Sequence, residues 1–174
     1  MDRRLRLLVT LSLLAALCCV ATMAIPIPTP TGGYLNAGDV VVVFTALLVG
    51  PVYGAAAAGM GSMLADLFAG YAVYAPGTLL AKGLAALIAG WMYRKTDGSK
   101  RFAVFSAVCG ELAMAAVYFL YESLCLGFGW AAAAELPGNL LQGAVGVAGG
   151  TALYLALKKV PEIRQFEAEA KERK

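Results

Sequence analysis

Long apolar segments alternate with short polar connections along almost the whole chain. Six such segments are recognisable: about 5–24, one beginning near Asp39, three that follow Pro51, Pro76 and Pro137, and about 102–126. An apolar helix that crosses a bilayer needs about 17 to 25 residues, which most of these segments supply. The second segment is shorter, and its valine-rich run "VVVVFTALLVG" would also suit a buried strand. Because only helices and closed barrels satisfy their backbone polar groups inside a membrane, it is predicted to be a helix.

The pattern predicts an all-α polytopic membrane protein with six transmembrane helices. Residues 1–160 are expected to form one six-helix transmembrane domain, and residues 161–174 a charged, solvated cytoplasmic tail. Composition agrees with this class, since 60% of the residues are hydrophobic and only 14% are charged. Soluble domains carry about 25% charged residues, so no soluble domain is predicted beside the membrane domain.

The first apolar segment resembles the start of a secretory signal peptide, because Arg3, Arg4 and Arg6 precede it. Its apolar run is nevertheless long enough to span a bilayer. The small-residue cleavage pattern A-x-A fails at residues 21–23, since position 23 is methionine. The segment is therefore interpreted as a retained first transmembrane helix.

The basic residues predict the orientation in the membrane. Lysine and arginine cluster before the first segment, between the fourth and fifth, and after the sixth. The connections at 25–37, 70–75 and 127–136 carry none. Cytoplasmic loops carry an excess of lysine and arginine, so both termini are predicted to be cytoplasmic.

Polar side chains within the apolar segments are the candidate functional residues, because ionisable groups inside a membrane are costly and usually functional. With the predicted orientation, most of them lie in the outer half of the membrane: Asp39, Asp66, Lys82, Glu122, Asn139 and Gln142. Glu111 is the exception, near mid-membrane. This distribution favours a cup open to the outside over a pore lined from face to face.

Structural interpretations of the same residues remain open. Asp66 and Lys82 would neutralise each other if they paired across the third and fourth segments. Asn139 and Gln142 would serve as polar links between helices. Glu122 would be solvated in the interface. None of these alternatives requires a ligand.

The connection "IPIPTPTGGYLNAGD", residues 25–39, lies on the outer side above this cup. Its alternating prolines predict an extended conformation over residues 25–30, close to polyproline II. Gly32 and Gly33 tolerate positive φ and are interpreted as a hinge. Tyr34 would place a ring on a bound heterocycle. We expect a lid; the alternative is a static plug that only shields the bundle.

Small residues recur every four positions on several segments, each in line with one polar residue: Gly54/Ala58/Ser62/Asp66, Lys82/Ala86/Gly90 and Gln142/Gly146/Gly150. Such spacing lets transmembrane helices approach closely. Each stripe runs from the polar outer end to small inner residues. A bundle that is tight on the cytoplasmic side and open around an outer pocket is expected.

Several functions are disfavoured by what the sequence lacks. Histidine is absent, and the four cysteines have no metal-ligand spacing, so no metal site or cofactor is predicted. The tail mixes acidic and basic residues, which does not indicate nucleic-acid binding. Asp66, Glu111 and Glu122 are possible acids or bases of an intramembrane enzyme, but no nucleophile–base arrangement accompanies them. No phosphate-binding G-x-x-x-x-G-K-[ST] sequence is present.

Three stretches together resemble a known family: "IPIPTPTGGYLNAGD", "GSMLADLFAGYAVYAPGTLLAKGLAALIAG" and "PGNLLQGAVG". Over about residues 5–157 the chain resembles the S components, the substrate-binding membrane subunits, of energy-coupling factor (ECF) vitamin transporters. The resemblance implies a six-helix protein of the prokaryotic plasma membrane, surrounded by lipid, that is not an enzyme. It also implies capture of a vitamin from outside under a lid, and partnership with a transmembrane coupling subunit and two ATPase subunits. An autonomous secondary transporter of a small polar metabolite is the alternative, although no inverted repeat is evident.

The predicted outer cup and the family resemblance together indicate which residues bind substrate and which dock on a partner. The expected substrate-binding residues are Tyr34, Asn36, Asp39, Tyr74, Lys82, Tyr118, Glu122, Asn139 and Gln142. The family's docking motif, alanine-xxx-alanine on helix one, corresponds to Ala15, Ala16 and Cys19, with cysteine in place of the second alanine. The expected substrate is a flat polar heterocycle, of the pyridoxine or hydroxymethylpyrimidine class or riboflavin, with the one-ring compounds favoured.

Overall fold

The computed structural model describes residues 3–29, 32–96 and 98–172, and within them the chain is an all-α membrane protein with one small hairpin. The elements follow in the order α1 (Arg3–Ala24), β1 (Ile27–Pro28), β2 (Tyr34–Leu35), α2 (Gly38–Val49), α3 (Pro51–Phe68), α4 (Ala75–Arg94), α5 (Lys100–Leu120), a π-helical turn (Tyr121–Cys125), a 3-10 helix (Gly129–Glu135), α6 (Leu136–Leu157) and α7 (Pro161–Glu172).

Helices α1 to α6 coincide with the six apolar segments of the sequence. Pro51 begins α3, and Pro76 and Pro137 lie in the first turns of α4 and α6, where a missing N–H is tolerated. Among the described residues, four stretches are long and apolar enough to cross a membrane: Arg4–Ala24, Ala75–Arg94, Lys100–Cys125 and Gly129–Leu157. Helix α2 has 12 residues and is about 18 Å long at 1.5 Å per residue. Six crossings and two cytoplasmic termini stay predictions.

Helix α2 forms the centre of the bundle. Every residue in it except Val40 is buried, and it packs against α1, α3, α4 and α6. Its run of valines and leucines is apolar on all sides, as a helix surrounded by other helices requires. The remaining packing pairs α3 with α4, α4 with α5, and α5 with α6.

Small residues let these helices approach closely, as the sequence predicted. A methyl group on Gly90 would lie 2.8 Å from the carbonyl carbon of Gly50, and one on Gly110 would lie 2.6 Å from the carbonyl oxygen of Ala85. A methyl group on Gly146 would lie 2.6 Å from the Asp39 side chain. At these positions the neighbouring helix occupies the space that a side chain would need.

The tail was expected to be solvated, and this expectation is wrong for part of α7. Phe166, Glu167 and Ala170 are buried against the bundle. The Tyr154 hydroxyl donates to Glu167 Oε1 at 3.0 Å, and Arg94 Nη2 donates to the Ala170 carbonyl at 3.0 Å. Apolar residues that recur at helical spacing give α7 a face that docks. Residues 173–174 lie outside the described part.

The proline-rich connection folds as an antiparallel hairpin, with Ile27 opposite Leu35 and Pro28 opposite Tyr34. The predicted extended conformation is confirmed over β1, although it pairs with β2 instead of standing alone; Pro30 and Thr31 lie outside the described residues. Gly32 has a φ of +83°, which confirms its predicted backbone freedom. Gly33 instead lets the hairpin backbone lie close to Tyr74, since a methyl group there would lie 3.3 Å from the Tyr74 ring.

Candidate functional site

A small cavity lies beneath the hairpin, at the end of the bundle where α3 ends and α6 begins. Its volume is about 30 Å³, which leaves no room for a drug-sized heterocycle while the hairpin stays in this position. The lining residues come from the hairpin connection and from the ends of the surrounding helices: Thr29, Gly33, Tyr34, Asn36, Asp66, Tyr74, Thr78, Tyr118, Glu122, Glu135, Asn139 and Gln142.

Within the described part of the hairpin, two hydrogen bonds connect it to the bundle. The Tyr34 hydroxyl donates to Asp66 Oδ1 at 2.7 Å, and its ring centroid lies 4.4 Å from that of Tyr71. The Asn36 backbone N–H donates to Gln142 Oε1, also at 2.7 Å. Burial, and then the hydrogen bond to Asp66, raise the pKa of Tyr34, so the phenol keeps its proton and remains a donor.

A buried ion pair lies in the bundle next to the cavity. Lys82 Nζ, fully buried on α4, is 2.5 Å from Asp39 Oδ1 at the start of α2. Gln142 Nε2 on α6 donates to the other oxygen, Asp39 Oδ2, at 2.7 Å. Three helices are thereby joined at one carboxylate. Gln142 also carries the link to Asn36, so it connects this pair to the hairpin.

These contacts decide one of the alternatives that the sequence left open. Lys82 pairs with Asp39, and Asp66 accepts from Tyr34, so the Asp66–Lys82 pair does not form. Gln142 is confirmed as a link between helices. Neither Asp39 nor Lys82 lines the cavity. A role for them at the site would therefore act through Gln142 and through the helix positions.

Glu122 enters the cavity wall because the helix changes its winding. The π-helical turn Tyr121–Cys125 follows α5 and contains Glu122, which is 4% exposed. Burial is at odds with the interpretation that Glu122 is solvated in the interface. π-Helical turns inside helices are frequent at functional sites, because the extra residue re-aims the side chains.

Glu135 and Thr78 line the cavity but were not predicted from the sequence. Glu135 ends the 3-10 helix, is 4% exposed and lines the cavity. The sequence could have indicated Glu135, because it is the one charged residue of the outer connection 127–136. Thr78 accepts a hydrogen bond from the Tyr118 hydroxyl at 2.9 Å. A threonine one turn before Lys82 gave no signal that distinguished it from a packing residue.

Of the nine predicted substrate-binding residues, seven line the cavity: Tyr34, Asn36, Tyr74, Tyr118, Glu122, Asn139 and Gln142. Their contact with a ligand stays a prediction. The predicted docking residues lie elsewhere, on α1. Ala16 is exposed, Ala15 and Cys19 are half-buried, and the Ala15 carbonyl packs against Gly61 of α3. Ala16 is the member of this set that an approaching partner would meet first.

Glu111 lies outside the cavity. It is 5% exposed and lies against Gly143 of α6, and within the described part of the chain neither carboxyl oxygen has a hydrogen-bond partner. It borders an apolar groove between α5 and α6. The groove is lined mainly by valine, leucine, alanine and glycine, which are packing residues.

Two comparisons with known proteins bear on this geometry. A family model described as "ECF-type riboflavin transporter, S component" matches residues 3–159. A protein of Pyrococcus woesei, described as "Uncharacterized protein in gap 3'region", is 37% identical over 141 residues, which make up 80% of this chain and 93% of that protein. The family match spans α1 to α6 and the hairpin, and therefore every residue of the cavity wall.

Proposed function

The chain belongs to the S components of ECF-type riboflavin transporters, and from this membership we propose that it captures a small vitamin or vitamin precursor beneath its hairpin for ATP-driven uptake. S components are substrate-binding subunits of transporters, so the chain is not an enzyme. The main observation in favour of the proposal is the cavity beneath the hairpin. Seven of the predicted binding residues line it, at one end of an apolar bundle.

The hairpin acts as the lid of this site. In the closed form it is held by Tyr34 on Asp66 and by the Asn36 backbone on Gln142. Both contacts lie at β2 or just after it, so β2 is the arm that holds the lid in place. Entry of a heterocycle requires these two bonds to break and β2 to lift. Re-forming them around the ligand would exclude water and slow its release.

Substrate recognition would use tyrosine rings and amides. Tyr34, Tyr74 and Tyr118 line the cavity, and aromatic faces stack on flat heterocycles. Asn139 and Gln142 supply amide groups that fix the ring's orientation. The substrate classes that fit are pyridoxine, hydroxymethylpyrimidine and riboflavin. The smaller one-ring compounds need less displacement of the hairpin from its closed position.

Transport would need other subunits. A transmembrane coupling subunit and two ATPase subunits are the proposed partners, in the plasma membrane of a prokaryotic cell. The proposed docking face on α1 comprises Ala15, Ala16 and Cys19. Leu13, Leu17 and Val20 are exposed beside it, so the face is apolar and surrounded by lipid until a partner helix covers it.

The test is to identify what the purified protein binds. Mass spectrometry of small molecules that co-purify with the chain should find a vitamin or precursor. Replacing Asn139 by alanine should then weaken binding of that molecule by about tenfold, as expected for loss of a hydrogen bond of about 1.4 kcal/mol. The control is Gln165→Ala on the exposed side of α7. Normal affinity in Asn139→Ala, or a bound molecule unrelated to any vitamin, would contradict the proposal.

A further inference from the structure

The cavity wall is acidic. Three carboxyl groups line it: Asp66 from α3, Glu122 from the π-helical turn and Glu135 from the 3-10 helix. All three are buried, with 2%, 4% and 4% exposure. Among the described residues, no lysine or arginine side chain lines the cavity. Ionised carboxyl groups that line the same cavity repel one another, unless a cation or a hydrogen-bond donor lies between them.

Two members of this group have a carboxyl oxygen that the protein leaves unpaired: Asp66 Oδ2 and Glu122 Oε2 are both buried without a hydrogen-bond partner in the described part of the chain. The other oxygen of Asp66 accepts from Tyr34, so Glu122 is the carboxyl group that depends more on a ligand. Glu135 lies on the same wall and is also acidic, so it offers Glu122 no compensating charge. Buried carboxylates are normally paired or hydrogen-bonded. The side chain is therefore aimed into the cavity with an open acceptor.

Lys82 does not neutralise this wall. Its ammonium group forms the ion pair with Asp39, whose second oxygen is held by Gln142. The pair is electrically balanced and lies outside the cavity lining. The ammonium lies 5.4 Å from the centroid of the Tyr118 ring.

The aromatic side chains favour the same kind of ligand. The Tyr34 and Tyr118 hydroxyl groups donate to Asp66 and Thr78, so both hydroxyl hydrogens are already used within the cavity wall. Ring faces carry negative potential and attract cations within about 6 Å. A wall of carboxyl groups and tyrosine rings is complementary to positive charge.

We propose that the captured ligand is a cation: a small planar heterocycle that carries a permanent positive charge or a protonated amine, with Glu122 as its principal ionic partner. This inference rests on the proposed function and names the substrate class of the same site. Closure of the hairpin would exclude water and strengthen the attraction between charge and carboxylate. A neutral ring system would leave Glu122 buried with its acceptor unused.

The experiment uses two matched comparisons on the full chain in lipid nanodiscs, at neutral pH. Pyridoxamine and pyridoxine share one ring and differ by an aminomethyl cation in place of a neutral hydroxymethyl group. Thiamine and riboflavin extend the comparison to a permanently charged and a neutral vitamin. Binding is measured by isothermal titration for the unmodified chain, for Glu122→Gln and Asp66→Asn, and for Glu162→Gln on exposed α7 as the control.

The cationic member of at least one comparison should bind about tenfold more tightly or better, as one charge-assisted hydrogen bond provides. Glu122→Gln should reduce that preference to within about twofold, and the control should keep it. Asp66→Asn provides a second variant if Glu122→Gln does not fold. Tighter binding of the neutral members, or a preference unchanged in both site variants, would overturn the charge proposal and leave the vitamin-binding function standing.

If none of the four probes binds, the molecule that co-purifies decides the question. A cation supports the proposal, and a neutral vitamin overturns it while supporting vitamin capture. The absence of any bound molecule or binding probe would overturn both.

Discussion

The ion pair between Lys82 and Asp39 should be the most costly polar contact to break in the bundle. At an effective dielectric constant of about 20, opposite charges at the observed 2.5 Å attract by about 7 kcal/mol. Burial of both groups, at 0% and 1% exposure, offsets much of that attraction. Removing one partner leaves the other charge buried and uncompensated. Breaking a buried pair in this way costs about 3–5 kcal/mol.

The perturbation is a double-mutant cycle. Lys82→Met removes the ammonium but keeps the length of the side chain, and Asp39→Asn removes the carboxylate charge but keeps an amide that faces Gln142. Each single variant should lose about 3–5 kcal/mol of unfolding free energy. The double variant buries no charge, so its loss should be well below the sum of the two, with a coupling of up to about 3 kcal/mol.

The assay is an SDS titration followed by circular dichroism, with Lys100→Met as the control because Lys100 is exposed at the start of α5. The control should unfold like the unmodified chain. Single variants as stable as the control would show that the pair between Lys82 and Asp39 does not stabilise the bundle. A double variant that lost the full sum would refute the coupling, since strictly additive losses mean that the two residues do not interact.

Three further predictions concern the lid, the packing and the orientation. Tyr34→Phe removes the hydroxyl group that donates to Asp66. The bound ligand should then dissociate at least about tenfold faster in a release assay. An unchanged dissociation rate would mean that this hydrogen bond does not hold the lid. Gly110→Ala places a methyl group 2.6 Å from a carbonyl oxygen and should destabilise the bundle by about 1–3 kcal/mol, whereas Gly83→Ala, 3.6 Å from its neighbour, should be tolerated; equal stability of the two variants would contradict the close-packing argument. In a cysteine-free background, Ala134→Cys should react with a membrane-impermeant maleimide on intact cells, and Ala168→Cys only after permeabilisation; the reverse pattern would invert the proposed topology.

The helices were predictable because the membrane imposes length and polarity on each segment. The apolar runs and the prolines at 51, 76 and 137 place α3, α4 and α6 correctly. The docking of α7 was missed because its charged residues outnumber its apolar ones. The spacing of Ile163, Phe166 and Ala170 carried the signal, since positions three and four apart share one face of a helix.

The sequence predicted which residues lie near the site but not which of them pair with each other. Polar residues at one depth identified four members of the cavity wall, Asp66, Glu122, Asn139 and Gln142, because their burial in a membrane is costly. The partner of Lys82 could not be read from the sequence, since Asp39 and Asp66 lie at similar depth and the choice depends on how α2 and α3 are rotated. The position of Glu122 depends on the π-helical turn Tyr121–Cys125, and residues that favour an α-helix also form such a turn.

The proposed function requires that this chain bind substrate on its own but transport it only with ATP-driven partners. The direct test is uptake of the identified ligand, in radiolabelled form, by proteoliposomes that contain the chain alone or the chain with a coupling subunit and two ATPase subunits. We expect saturable binding but no accumulation for the chain alone, under any ion gradient, and ATP-dependent accumulation when the partners are present. Accumulation by the chain alone without ATP would contradict it and would make the protein an autonomous secondary transporter.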